Sequence, residues 1–188
     1  WFFAFCLLPS AFLHTQEVLM DLGVNPVIAK KYHEIKNSAL KINPVKLDTI
    51  DISVNPFLDD FSKDNIYPDA SLWLDSNVFI NRDYPIAPPT LGVATFDGVG
   101  KSGLPYDTTA SSTSSDSADM LTSKPINLGL FTSADNIYLS FYWEAMGRGN
   151  RPEPVDSLVL EFLNPSTSET ARAKKSKGSS ADIQHSEC

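Results

Sequence analysis

Cysteine and histidine are missing from the middle of this chain. Its 188 residues contain two cysteines, Cys6 and Cys188, both at the ends. Neither can staple a central core, and no Cys-x-x-Cys pair offers metal-ligand spacing. The three histidines, His14, His33 and His185, also lie outside residues 55–165. A Ser-His-Asp or Cys-His nucleophile within that body would lack its base, and a His-ligated zinc would lack its ligands. Basic charge is scarce there too: residues 55–165 carry 15 acids and 6 bases, a net −9, against −8 for the whole chain. A phosphate backbone needs a basic face, so this balance argues against a nucleic-acid partner. No apolar run is long enough to form a transmembrane segment.

The chain divides by composition into four parts. Residues 1–16, WFFAFCLLPSAFLHTQ, are apolar and then small and polar. They read as the later part of a secretory signal peptide, with a buried strand or helix as the alternative. That reading places the protein outside the cell, secreted or on the outer surface. Residues 17–54 form a leader. Within it Val27, Ile28, Tyr32, Ile35, Ala39 and Leu40 recur at roughly helical spacing. A short amphipathic helix and an extended connector both fit this stretch. LDTIDISV then alternates as a strand would.

The body, 55–165, is a series of short runs rich in branched and aromatic residues, bounded by Asp, Asn, Pro or Gly. That pattern predicts an all-β fold, an antiparallel jelly-roll-like β-sandwich. The clearest strand is predicted at 137–144, with Ile137, Leu139, Phe141 and Trp143 on one face. Another is predicted at 158–163. MGRGNRPEPV between them reads as a wide hairpin loop, and 111–119 as a polar surface loop. The tail, 166–188, has almost no large apolar residue and is expected to be disordered.

The stretch YPIAPPTLGVATFDGVGKSGLPYD, 84–107, concentrates the special residues. Pro88 and Pro89 delay the strand until Leu91, and glycines shape the exit. GVGKSG matches a dinucleotide-binding spacing, but LPYDTTASST after it is no helix, so nucleotide binding is set aside. A structural corner is the preferred reading.

Asp59, Asp60 and Asp97 are candidate ligands for one structural Ca²⁺, with turn capping as the competing role. Glu144 and Glu161 lie on predicted strands, and nothing marks them as a glycosidase pair. Tyr138 and Tyr142 share a strand face and are the candidate stacking platform for a sugar. Arg148 and Arg151 stand in the adjacent polar loop.

PFLDDFS, YPDASLWLDSNVFIN, YPIAPPTLGVATFDGV, GLPYD, ADMLTSKPINL, IYLSFYWEAMGRGNRPEP and DSLVLEF together resemble the jelly-roll module of secreted bacterial surface proteins that carry a type IX secretion sorting domain. The order is also similar to MAM-type and laminin-G-like sandwiches. The resemblance implies export, a calcium-tolerant sandwich and a role in adhesion or assembly at the cell surface. It brings no catalytic residues. The family module continues with strands after DSLVLEF, so the sequence reads as an N-terminal fragment with an incomplete sandwich. The expected function is therefore a non-catalytic surface module whose partner is a surface glycan or protein. The alternative is a carbohydrate-binding module or an accessory domain of a secreted hydrolase.

Overall fold

A computed structural model describes residues 23–37, 48–109, 118–149, 152, 156–177 and 184–187. The expected signal segment, most of the polar loop 111–119 and Arg151 lie outside the described residues. The described chain is built mostly from short extended segments, with one α-helix, as the composition of the body leads one to expect.

The helix, α1, spans Pro26–Asn37. Local chemistry fixes its start. Asn25 Oδ1 accepts hydrogen bonds from the amides of Val27 (3.1 Å) and Ile28 (3.3 Å), and Pro26 occupies the first helical position, where no amide donor is needed. Of the two readings of the leader, the helical one holds over these residues. Ile28 is its buried contact, 1% exposed.

The strands are β1 Ile50–Asp51, β2 Phe79–Asn81, β3 Val93–Thr95, β4 Ile126–Asn127, β5 Ser140–Trp143, β6 Ser157–Asn164, β7 Glu169–Lys177 and β8 Gln184–Glu187. They form four two-stranded pairs, β1–β4, β2–β3, β5–β8 and β6–β7. Three pairs are antiparallel, whereas β1 and β4 run parallel. The strand expected at 137–144 is confined to 140–143, and its burial alternates as the sequence implies, with Phe141 and Trp143 half-buried and Ser140 and Tyr142 exposed.

Two expectations are corrected. MGRGNRPEPV does not join hairpin partners, because β5 pairs with β8 and β6 with β7. The tail also contributes strands at 169–177 and 184–187, where disorder was expected. The reason is backbone chemistry. Asn164 Oδ1 accepts the Ser166 amide and the Asn164 carbonyl accepts the Ser168 amide, while Ser168 adopts a φ of 58°. This turn folds β7 back along β6, and a ladder of main-chain bonds needs no large apolar side chains. Arg172 adds a cross-strand ion pair to Glu161 at 2.9 Å.

The hydrophobic centre is small. Ile28 from α1, Phe79 from β2 and Val99 from the glycine-rich loop form one cluster, with Ile66 and Tyr67 packed against it. The leader helix is thus joined to the body through its core, not appended to it.

Candidate functional site

The stretch 84–107 can be followed atom by atom. β3 pairs with β2 in the register Phe79–Thr95, Ile80–Ala94 and Asn81–Val93. Asn81 reinforces it, donating through Nδ2 to Thr95 Oγ1 at 2.6 Å and accepting the Tyr84 amide at Oδ1. After β3 the chain turns at Gly98, whose φ is 74°, and Val99 drops into the core with 2% exposure. The loop then closes on itself: the Gly100 amide bonds to the Leu104 carbonyl and the Gly103 amide to the Gly100 carbonyl. Tyr67 donates its hydroxyl to the Lys101 carbonyl at 2.9 Å.

Helix α1 seats on this loop. The Asn25 amide donates to the Gly103 carbonyl at 2.8 Å, and Asn25 Nδ2 donates to Asp97 Oδ2 at 3.2 Å. One asparagine therefore caps the helix, receives the loop and holds a carboxylate. Gly103 has a φ of +77°, and a β-carbon there would lie 2.6 Å from both the Asn25 carbonyl oxygen and the Ala29 nitrogen. Only glycine fits. The GVGKSG loop is followed by turns and bends through Thr109, not by a helix. The nearby helix N-terminus, where a phosphate would sit, is taken by the Asn25 side chain and the Gly103 carbonyl.

Asp119 anchors the same loop from the other side. Its Oδ2 accepts the Gly98 amide and its Oδ1 accepts the Tyr106 hydroxyl, both at 2.7 Å. Burial pushes the Asp119 carboxyl up to about 6, and neighbouring Asp97 adds to the rise while the two hydrogen bonds oppose it. Burial likewise raises Asp97, against the bonds from Val99 and Asn25. Burial raises Tyr106 further above the ordinary phenol value, helped by its bond to Asp119 and by the charges of Asp97 and Asp75.

The candidate ion ligands have other duties. Asp59 Oδ1 accepts the Phe61 amide and its Oδ2 accepts Trp73 Nε1 at 2.7 Å. Asp60 Oδ1 accepts the Ser62 amide. Asp97 caps Val99 and binds Asn25. No group of three or more His, Cys, Asp or Glu side chains that could hold a metal ion occurs among the described residues. Asp59, Asp60 and Asp97 each cap a turn through their carboxylates. Trp73 is also held between rings, stacked with Phe61 and edge-on to Phe57.

Tyr138 and Tyr142 separate in their surroundings. Tyr138 is 71% exposed and lines a shallow depression of about 370 Å³ with Leu128, Phe131, Ser133, Asn136 and Ile137. Tyr142 lies on β5, opposite His185 of β8, and is not part of that wall. The Arg148 side chain is exposed, while its amide donates to the Tyr84 carbonyl at 2.7 Å. Glu144 Oε2 accepts the Ile86 amide at 3.1 Å, and Glu161 pairs with Arg172, so each carboxylate has a separate structural partner.

Sequence reading missed Asn25 and Asp119 as partners of this loop. Both meet the loop from far along the chain, at separations of 72 residues for Asn25 to Asp97 and 21 for Asp119 to Gly98, so no local sequence signal marks them. No helix among the described residues is long and apolar enough to cross a membrane. No family model, curated protein or solved structure matches the chain.

Proposed function

We propose that the chain is a non-catalytic, exported module with a jelly-roll-like β-sandwich, acting in adhesion or assembly at an outer cell surface. One observation carries the reading. The stretch richest in Gly and Asp, where a reaction centre would be sought first, is consumed by internal bonds: Gly103 to Asn25, Asp97 to Asn25 and Val99, and Asp119 to Gly98 and Tyr106. Its polar groups are engaged in holding the loop and helix α1 together. Binding would then fall to exposed side chains elsewhere.

Tyr138 favours a second reading, a carbohydrate-binding module. It is exposed beside a depression that holds both apolar and polar side chains, the chemistry that stacks on and hydrogen-bonds a sugar ring. The experiment is a screen of the purified chain on glycan and surface-protein arrays, run beside a hydrolysis panel of polysaccharides, esters and peptides. Binding without turnover is the expected result. Glycan binding that Tyr138→Ala abolishes selects the second reading, and turnover of any substrate overturns both.

A further inference from the structure

The depression beside Tyr138 is shaped by the protein's own bonds. The Phe131 amide donates to the Leu128 carbonyl at 2.9 Å, and the Asp135 amide to the Thr132 carbonyl at 3.0 Å. Asp135 Oδ2 accepts both the Thr132 amide and the Thr132 hydroxyl, at 2.6 and 2.8 Å. Asn136 then adopts a left-handed conformation, with φ 49° and ψ 61°, and the chain rejoins the same depression at Ile137 and Tyr138. Every residue of the lining is uncharged. Leu128, Phe131, Ile137 and Tyr138 make it apolar on one part, and Ser133 and Asn136 bring polar groups. Those groups have spare capacity. Ser133 Oγ makes no hydrogen bond among the described residues, and Asn136 commits only Nδ2, to the Ala134 carbonyl at 3.2 Å, so its Oδ1 remains an acceptor. The one charge in the segment 128–138 is an acid, Asp135.

We propose that this depression binds a neutral sugar, one or two rings of a glycan, and turns away acidic sugars. The inference rests on the carbohydrate-binding reading above and narrows its ligand class. A volume of about 370 Å³ lies at the small end of ordinary ligand sites and suits a ligand of that size. The C–H face of a ring stacks on Tyr138, and ring hydroxyls reach Ser133 Oγ and Asn136 Oδ1. A wholly apolar ligand would cover those two oxygens without bonding them, which costs free energy. A carboxylate or sulfate would find no base in the lining to pair with. It would also lie beside Asp135, in a body that already carries a net −9. The ligand that satisfies both the apolar and the polar parts is therefore hydroxylated and uncharged.

The test titrates the intact chain with two sets of oligosaccharides and follows the amide chemical shifts of Phe131, Asn136 and Tyr138. One set is neutral, fragments of cellulose, xylan and mannan; the other is acidic, fragments of polygalacturonate and hyaluronan. Neutral fragments are expected to move these amides to saturation and to bind at least about tenfold more tightly than acidic ones of equal length. Tyr138→Ala weakens that binding about tenfold, whereas Tyr138→Phe, which keeps the ring, changes it by less than about threefold. Ser133→Ala weakens it by about three- to tenfold. Tyr138 is 71% exposed, so its replacement removes little packing. Acidic fragments that bind at these amides as tightly as neutral ones overturn the proposal and leave the carbohydrate-binding reading standing. Neutral fragments that bind while these three amides stay unmoved do the same. Binding by neither set overturns the carbohydrate-binding reading itself, and the proposal with it.

Discussion

At the scale of single residues, a few backbone positions admit only one side chain. Gly103 is the clearest, because it combines a φ of +77° with the carbonyl of Asn25 and the nitrogen of Ala29 at 2.6 Å from any added β-carbon. Gly103→Ala is expected to lower stability by at least about 2 kcal/mol, from left-handed backbone strain plus displacement of the helix. Urea unfolding checks it; an unchanged midpoint would mean that helix and loop do not touch. Gly92 is similar, since a β-carbon there would run into the Phe61 carbonyl, and Phe61 itself sits at a φ of 51°. That Gly92 and Gly103 are special was legible in the sequence as small residues in a proline- and glycine-rich corner. Which atoms they approach was not, because Phe61 and Asn25 are distant along the chain.

At the scale of elements, α1 and the β6–β7 hairpin show what local pattern can and cannot convey. The Asn-Pro pair before VIAKKY is a helix-start signal, and it sets the start of α1. Its docking depends on a loop some 70 residues away, which no helical periodicity encodes; the Asn25 to Asp97 bond spans a separation of 72. Asn25→Ala removes the cap and the tether together and is expected to cost about 1–2 kcal/mol, with a matching loss of helical circular dichroism before global unfolding. The hairpin was hidden for the opposite reason. Residues 169–177 have little to bury, and only the turn at 165–168 with its Ser168 φ of 58° returns the strand to β6. Ser168→Gly is expected to stabilise this hairpin by about 0.5–1 kcal/mol, read as slower exchange of the β6 amides. Extended segments were foreseeable from alternation, while strand partners were not, since β5 and β6 each pair with the tail instead of each other.

At the scale of the whole molecule, opposed titrations set the pH response. The Ser53 and Ser62 hydroxyls and the Thr132 amide hold Asp51, Asp60 and Asp135 below their ordinary value. These groups favour the fold above pH 3.8, and their contribution is lost as the pH falls through their lower folded values. Asp97 and Asp119 act in the other direction. The melting temperature is therefore expected to rise from pH 7.5 to about 5 and to fall below about 3.8, checked by calorimetry across that range. A monotonic fall from neutral pH would remove Asp119 from the account.

The central claim is that the glycine- and aspartate-rich loop, helix α1 and β2 form one structural unit around Ile28, Phe79 and Val99. Native-state hydrogen exchange in low denaturant tests it most directly, by comparing the opening free energies at those three amides. The account expects all three to open together, with one shared free energy and one denaturant dependence. Exchange at Ile28 and Val99 that is far faster than at Phe79, and insensitive to denaturant, would contradict it, leaving the loop and helix as a mobile surface and not the corner of a scaffold.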